Sequence, residues 1–188
     1  MAIIVNQSSH TPDAEQRARR VEFILMDVDG VLTDGQILIM PDSQGVTHEF
    51  KTFNVQDGVG LTLARRIGLR LGILTGRISE SVAVRAKELG MEVIEQGSLQ
   101  KLETYQKIRE TIQLEDSQIA YMGDDLQDLP VLRRVGFAVG VANAQEDIKK
   151  FCHMVTKHEG GHGAVREALE FIIRAQGKWD QIMARYLA

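Results

Sequence analysis

VEFILMDVDGVLTD, residues 21–34, joins a run of apolar residues to two aspartates, Asp27 and Asp29. Short apolar runs bounded by turn residues are typical of strands buried in a parallel sheet, so we predict a strand that ends at Asp27. Two carboxylates at the end of a buried strand are unfavourable, because neighbouring negative charges disfavour each other's ionisation. A divalent cation held by oxygen ligands would compensate, and an aspartate beside such a cation can attack phosphorus. From these residues alone, a strand that simply ends in a turn around Gly30 is an equally good interpretation.

The composition predicts a single globular domain and disfavours several classes of partner. The chain has 188 residues, of which 44% are hydrophobic, enough for one well-packed core and too few for two large ones. Its net charge is −4 and its basic residues are scattered, which disfavours binding to nucleic acid or to a membrane surface. The single cysteine, Cys152, excludes a disulfide framework and suits a reducing compartment.

The N-terminal residues lack the apolar core of a signal peptide, and no segment reaches the ~20 apolar residues of a membrane span. We therefore expect a cytoplasmic protein with no membrane segment. We assign residues 1–20 to an N-terminal extension, loose over residues 1–12, and residues 21–188 to one domain.

Strand-like and helix-like segments alternate along the rest of the chain. The predicted strands are residues 21–26, 69–74, 91–94, 119–122, 137–141 and 154–156. Helical spacing of apolar residues predicts helices near residues 59–67, 82–89, 105–112, 129–135 and 146–151, and a long closing helix from residue 165. This alternation is typical of a parallel sheet covered by helices on both faces, in which ligands bind at the carboxyl ends of the strands. Asp27, Thr75 and Gly123 each follow a predicted strand, so we expect them along one edge.

Two further segments bring phosphate-binding groups to that edge. Thr75 and Gly76 follow the second strand and are expected to begin a helix, where a hydroxyl and backbone N–H groups can bind phosphoryl oxygens; a plain helix cap is the alternative. Lys101 lies at a predicted helix start, where the helix dipole disfavours a cation. We therefore expect Lys101 to face an anion, with a solvated surface lysine as the alternative.

The segment GDDLQD, residues 123–128, repeats the electrostatic problem of the first strand. Asp124, Asp125 and Asp128 follow another apolar run, and a cation shared with Asp27 and Asp29 would compensate for both groups of carboxylates. The sequence therefore predicts a metal site between the two segments.

These four motifs, in this order, resemble the haloacid dehalogenase superfamily of phosphohydrolases. Over roughly residues 21–179, the chain is similar to the capless sugar-acid phosphatases that act on 3-deoxy-D-manno-octulosonate 8-phosphate, in the synthesis of the inner-core sugar of lipopolysaccharide. The similar segments are DVDGVLTDG, FNVQDGVG, TGR with Arg85 eight residues beyond Arg77, QGSLQK, YMGDDLQDLPVL and GGHGAVREALEFIIRAQGKW. Cys152 and His153 depart from the pattern, where a small residue and an aromatic are expected. The resemblance implies an α/β fold with a three-layer, doubly wound parallel sheet, a β-hairpin flap and no cap domain.

The resemblance and the charges together suggest a role for each polar residue. Asp27 would be the nucleophile, and Asp29 would protonate the leaving oxygen and later deprotonate water. Magnesium would be held by the Asp27 carboxylate, the Asp29 backbone carbonyl and Asp124, with Asp125 and Asp128 as further ligands or as groups that orient the site. The substrate would be bound by Thr75, Gly76, Arg77, Arg85 and Lys101. A guanidinium can grip a carboxylate through two hydrogen bonds; for Arg85, an ion pair with Glu88 or Glu80 is the alternative.

Residues 34–54 are expected to form the hairpin, because two alternating segments, 36–40 and 46–53, flank a turn at residues 41–45. A hairpin alone leaves the site open to water, which weakens electrostatic stabilisation. We therefore expect a neighbouring subunit to close the site, and the resemblance implies a homotetramer.

The favoured function is magnesium-dependent hydrolysis of 3-deoxy-D-manno-octulosonate 8-phosphate. The alternatives are a 9-phosphate phosphatase of an N-acylneuraminate or its deaminated analogue, and an inactive phosphatase domain kept as an oligomerisation module. A zinc protease is rejected although residues 158–162 spell HEGGH, because two adjacent glycines oppose the helix which that site requires. Neither a dinucleotide fingerprint nor a P-loop is present.

Overall fold

A seven-stranded sheet forms the centre of the computed structural model, which describes residues 9–187. In order across the sheet, the strands are β1 (Ser9–His10), β9 (Met154–Val155), β8 (Phe137–Gly140), β7 (Ile119–Gly123), β2 (Phe23–Met26), β5 (Arg70–Leu74) and β6 (Val93–Glu95). All pairings are parallel except β1 with β9. The six strands predicted from the sequence are therefore all present.

Eight helices connect and flank these strands within the described residues. They are α1 (Ala14–Ala18), α2 (Val55–Arg66), α3 (Glu80–Glu88), α4 (Lys101–Ile112), α5 (Leu129–Leu132), α6 (Glu146–Lys149), α7 (Ala164–Ala175) and α8 (Trp179–Leu187). A short 3-10 helix, Asp116–Gln118, precedes β7. Helices α1 and α2 pack on α7, and α4 packs on α5. This confirms the predicted three-layer, doubly wound α/β fold.

The flap is a separate two-stranded hairpin of β3 (Leu38–Pro41) and β4 (Thr47–Phe50). Its turn is closed by Asp42, whose side chain accepts hydrogen bonds from Gln44 N and Val46 N at 2.8 and 2.9 Å. Gly45 has a φ of 79°, which favours glycine. No cap domain is present in residues 9–187.

Strand β2 is the most deeply buried part of the sheet. Phe23, Ile24, Leu25 and Met26 are fully buried, and burying each such side chain contributes ~1.5–3 kcal/mol. The strand lies between β5 and β7, so its register is held from both sides. Asp27 N extends the ladder by donating to Met122 O at 3.0 Å. Asp27 is therefore placed by a rigid element.

The N-terminal extension differs from expectation. Residues 1–8 of the predicted loose tail lie outside the described residues, and the prediction is wrong for residues 9–12. Ser9 and His10 pair with Val155 and Met154 at the sheet edge, and Thr11 N donates to His153 O at 2.8 Å. Two alanines of α1 are also buried in the core.

The predicted closing helix is divided into α7 and α8. The break occurs at Gly177, where φ is 68°, a value that favours glycine and ends a right-handed helix. Across the described residues, none of the helices is both long and apolar enough to cross a membrane.

Candidate active site

Most of the predicted site residues line one cavity of about 350 Å³ at the carboxyl edge of the sheet. Its walls are Asp27, Asp29, Thr75, Gly76, Arg77, Leu99, Lys101, Asp124, Asp125 and Gln127. The convergence follows from topology, because β2, β5 and β7 are parallel neighbours and the residues after them emerge at the same edge. Leu99 and Gln127 are the lining residues that the sequence did not single out.

Asp27 is a buried carboxylate with a lysine partner. Its Oδ1 accepts from Val28 N at 2.7 Å, and its Oδ2 lies 2.8 Å from Lys101 Nζ. Burial, followed by repulsion from Asp128, raises the pKa of Asp27 to about 6, and Lys101 opposes this shift only in part. The site therefore holds more negative charge than its own lysine compensates for.

Lys101 begins α4 and faces carboxylates rather than solvent. Its ammonium group is 2.7 Å from Asp128 Oδ1 in addition to its contact with Asp27. Asp128 is fully buried, and the same oxygen accepts from Tyr121 Oη at 2.6 Å. Lys101 is thus held between two carboxylates on the wall of the cavity.

Asp128 also organises the loop that carries Asp124. Its Oδ2 accepts from Asp124 N at 3.0 Å and from Asp125 N at 3.2 Å. With both oxygens already bound twice, Asp128 has little capacity left for a cation. Of the two roles predicted for it, the geometry favours that of an orienting group. Asp125 lies on the cavity wall, where its Oδ1 accepts from Leu126 N at 2.6 Å.

The carboxylates of Asp27, Asp124 and Asp128 form a cluster in which one oxygen from each residue lies within 4.8 Å of the other two. Burial, then Asp128 and Asp27, raises the pKa of Asp124 to about 7. A Cβ at Gly30 would lie 2.1 Å from Asp124 Oδ2, so only glycine allows this approach. Crowded, poorly compensated carboxylate oxygens are suited to a hard divalent cation, and the residue set fits magnesium.

The Asp29 side chain points toward the flap and outside this cluster. Lys51, which follows β4, binds Asp29 Oδ1 and lies 3.5 Å from Glu49 Oε1. Glu49 Oε2 in turn binds Arg77 Nη2 at 2.5 Å. Lys51 and Glu49 were not predicted from the sequence to belong to the site. Glu49 lies in β4 and Lys51 follows two residues later, so the two side chains are expected on the same face of the extended segment. This spacing is the sequence signal that could have identified them.

Thr75 is buried at the cavity floor, and the helix predicted directly after it is wrong. Helix α3 begins only at Glu80, because Thr75 O and Arg77 O accept backbone hydrogen bonds from Ser98 N and Gly97 N. These bonds tie the segment to the neighbouring loop instead of a helical turn. The hydroxyl of Thr75 and the backbone of Gly76 therefore line the site without a helix N-terminus.

Arg85 is not brought to the cavity. It lies on α3 with Nη1 2.8 Å from Glu88 Oε2, and it packs on α2, where a Cβ at Gly58 would be 2.5 Å from Arg85 Nη2. The guanidinium lies beside Gly58 of α2 and outside the cavity, so the prediction that Arg85 faces the substrate is wrong for the site of this chain. The ion pair with Glu88, the alternative interpretation, is present.

Residues 158–163 form turns and not the helix of a zinc protease. His158 pairs with Glu167 at 2.6 Å. A Cβ at Gly160 would lie 1.8 Å from Gly30 O, and Gly161 N donates to Val31 O at 3.0 Å. The segment therefore packs against the loop after β2 in its own chain.

Asn143, which the sequence analysis did not identify, joins these two segments. Its Nδ2 donates to Gly30 O at 3.1 Å, and its Oδ1 accepts from Gly160 N at 2.7 Å. The loop that carries Asp27 and Asp29 is thus held from the C-terminal side of the domain.

Comparison with known proteins shows the family of this chain. A profile of haloacid dehalogenase-like hydrolases matches residues 68–169. The 3-deoxy-D-manno-octulosonate 8-phosphate phosphatase of Yersinia pestis is 41% identical over 168 residues, covering 89% of this chain and 88% of that protein.

Two solved structures are similar over nearly the whole chain. A probable YrbI family phosphatase from Pseudomonas syringae has a TM-score of 0.89 at 42% identity, and the match covers 95% of this chain and 99% of that chain. The 3-deoxy-D-manno-octulosonate 8-phosphate phosphatase of Moraxella catarrhalis, in complex with a magnesium ion, a phosphate ion and a KDO molecule, has a TM-score of 0.87 at 41% identity. That match covers 94% of this chain and 99% of the other.

Proposed function

Because this chain belongs to the haloacid dehalogenase-like hydrolases, and within them to the family of 3-deoxy-D-manno-octulosonate 8-phosphate phosphatases, we propose that it hydrolyses that sugar phosphate to the free sugar acid and phosphate. It is a phosphoric monoester hydrolase. The observation that carries the proposal is the convergence of Asp27, Lys101 and Asp124 on one polar cavity. An inactive oligomerisation module would not need these groups together.

Asp27 would perform the first half of the reaction. Its carboxylate attacks phosphorus in line with the leaving sugar oxygen, so a P–O bond to Asp27 forms as the bond to the sugar breaks. Asp29 gives its proton to the departing oxygen. In the second half, Asp29 takes a proton from water, which attacks the aspartyl-phosphate and releases inorganic phosphate.

The other residues would bind the phosphoryl group and hold the cation. Lys101 and the Thr75 hydroxyl bind its oxygens and orient it toward Asp27. Magnesium would be held by the Asp27 carboxylate, the Asp29 backbone carbonyl and Asp124, and when bound it neutralises charge on the phosphoryl oxygens. The chain supplies oxygen donors only, as magnesium prefers.

Arg77 would supply the selectivity for a sugar acid. Its guanidinium lies at the cavity wall, where Glu49 binds it from the flap, and a substrate carboxylate has the same chemistry as Glu49. We place the reaction in the cytoplasm, in the synthesis of the lipopolysaccharide inner-core sugar. A 9-phosphate of an N-acylneuraminate or its deaminated analogue also carries a carboxylate and is the competing substrate.

A panel of sugar phosphates assayed with magnesium tests this function. We expect kcat/KM for 3-deoxy-D-manno-octulosonate 8-phosphate to exceed that for neutral sugar phosphates by about tenfold or more, since one charge-assisted contact to the carboxylate is worth ~1.5–3 kcal/mol. The two 9-phosphates carry the same carboxylate, and we expect their kcat/KM to be lower than that of the 8-phosphate. A higher kcat/KM for a 9-phosphate would identify that compound as the preferred substrate and would leave the proposed reaction mechanism unchanged. No hydrolysis of any member of the panel would contradict the proposal.

The flap supports a homotetramer in which neighbouring subunits close the site. Its large apolar side chains are between 42% and 56% exposed; they are Ile37, Leu38, Ile39, Met40, Val46 and Phe50. Contiguous exposed apolar residues mark interaction surfaces. Leu99, on the wall of the catalytic cavity, is 84% exposed, and a polar substrate alone would not cover it. Arg85 could contribute to substrate binding only at the site of a neighbouring subunit.

Charges placed on the flap should separate the subunits. Leu38 and Phe50 are cross-strand partners, so the double variant Leu38→Glu with Phe50→Glu places two charges side by side on the flap. We expect sedimentation velocity to show monomers in place of a tetramer. We also expect kcat/KM to fall by about tenfold or more, because an opened site loses electrostatic stabilisation. Phe151→Glu, which changes an exposed aromatic outside the flap, is the control. A monomeric wild type with full activity would disprove the assembly.

A further inference from the structure

Lys51 is buried although it adjoins an exposed flap. The apolar residues of β3 and β4 are about half exposed, whereas the Lys51 side chain has no exposed surface. Its ammonium group binds Asp29 Oδ1 and lies 3.5 Å from Glu49 Oε1. The Lys51 side chain is therefore fully desolvated where it binds Asp29, the proposed acid of the reaction.

Stability alone does not account for this arrangement. Removing an ammonium ion from water is costly, and its two carboxylate partners, which are 20% and 21% exposed, are also largely desolvated. Buried ion pairs are often no more stable than apolar side chains of the same volume. An exposed two-stranded flap would be held equally well by an apolar residue at position 51. The choice of a charged residue therefore indicates a role toward Asp29.

The two oxygens of Asp29 have different surroundings. Oδ1 is bound by Lys51, whereas Oδ2 is buried and has no hydrogen-bond partner among residues 9–187. Arg77 Nε lies 4.0 Å from Oδ2, beyond hydrogen-bonding distance. One oxygen is thus anchored, and the other is free of hydrogen bonds in a side chain that lines the cavity.

Lys51 also holds the Asp29 side chain away from the other carboxylates. The carboxylate oxygens that lie close together belong to Asp27, Asp124 and Asp128, and the Asp29 carboxylate is not among them. Because Asp128 is already fully hydrogen-bonded, Asp27 and Asp124 are the carboxylates left to hold a cation. An unrestrained Asp29 side chain would be drawn toward a cation in that cluster, because carboxylates are its preferred ligands. It could then no longer reach the leaving oxygen.

We propose that Lys51 is a positioning residue, which anchors Asp29 Oδ1 so that Oδ2 faces the leaving oxygen of the substrate. This inference rests on the proposed function of Asp29 as the acid. It also makes the flap part of the catalytic apparatus, since Lys51 directly follows β4.

The leaving group provides a specific test. A sugar alkoxide needs a proton as it departs, whereas p-nitrophenolate leaves readily without one, so a displaced acid slows only the first reaction. We expect Lys51→Met to lose about tenfold more kcat/KM on the sugar phosphate than on p-nitrophenyl phosphate. Lys51→Gln, which retains a hydrogen-bond donor without the charge, should show an intermediate ratio. Partial unfolding removes active enzyme for both substrates equally and leaves the ratio unchanged.

Two controls separate this inference from others. Lys107→Met removes an exposed lysine of α4 and should change kcat/KM for neither substrate. Asp29→Asn should give the largest ratio between the loss of kcat/KM on the sugar phosphate and the loss on p-nitrophenyl phosphate. Calorimetric titration with Mg²⁺ should give tighter binding in Lys51→Met, because the released Asp29 carboxylate can then reach the cation. Equal losses on both substrates in Lys51→Met, with a large ratio in Asp29→Asn, would overturn the positioning role alone. Equal losses in Asp29→Asn as well would overturn the acid role, and with it the inference about Lys51.

Discussion

Replacing Asp27 with asparagine should reduce turnover of the sugar phosphate by about 10³-fold or more, because an amide is not a nucleophile and loss of a covalent catalytic group has effects of at least this size. Asparagine has nearly the same shape as aspartate, so the fold should persist. The variant loses the ion pair with Lys101 but also removes a negative charge beside Asp124 and Asp128. These two effects on stability oppose each other.

Steady-state kinetics and acid quenching would check this prediction together. The wild type, quenched during turnover of labelled substrate, should carry phosphate on Asp27, and Asp27→Asn should carry none. Asp147→Asn, an exposed aspartate of α6, serves as the matched control and should behave as wild type. Turnover of Asp27→Asn within about tenfold of wild type would exclude the covalent mechanism.

Chelation of the divalent cation should abolish turnover, and the stabilisation by magnesium should depend on pH. Without the ion, burial and neighbouring carboxylates raise the pKa of Asp27 to about 6 and of Asp124 to about 7, from the ordinary value of 3.8. Between the ordinary pKa and these raised pKa values, from about pH 4 to about pH 7, the folded protein therefore binds more protons than the unfolded chain. Its free energy of unfolding falls as the pH rises from about 4 to about 7.

Magnesium binds the ionised carboxylates, so its stabilising effect should increase over the same range. Thermal unfolding with chelator and with magnesium, from about pH 5 to about pH 8, would measure it. The increase in Tm caused by magnesium should be small at the acid end and large at the alkaline end. In Asp124→Asn the increase should largely disappear. Equal increases at every pH, or full turnover in chelator, would contradict a metal site at these carboxylates.

The sequence by itself determined the fold class and the location of the catalytic edge. Apolar runs, helical spacing and the residues that follow each run depend on neighbours within a few positions of the chain. Once the strands are parallel, their carboxyl ends must meet at one edge, so Asp27, Thr75 and Asp124 converge wherever the loops lie. Lys101 was predicted from its place at a helix start, where the helix dipole disfavours a cation unless it faces an anion.

Only the tertiary structure decided how more distant segments meet this edge. Lys51 reaches Asp29 because the flap folds back over the site, and residues 158–163 pack against Gly30 although far from it in the chain. Arg85 lies outside the cavity, with its guanidinium beside Gly58 of α2 and Glu88 of its own helix. Such contacts depend on the packing of whole elements, and a one-residue change of register or a small helix rotation would change each of them. Local periodicity contains no information about that packing, whereas it specifies each strand and the residues at its end.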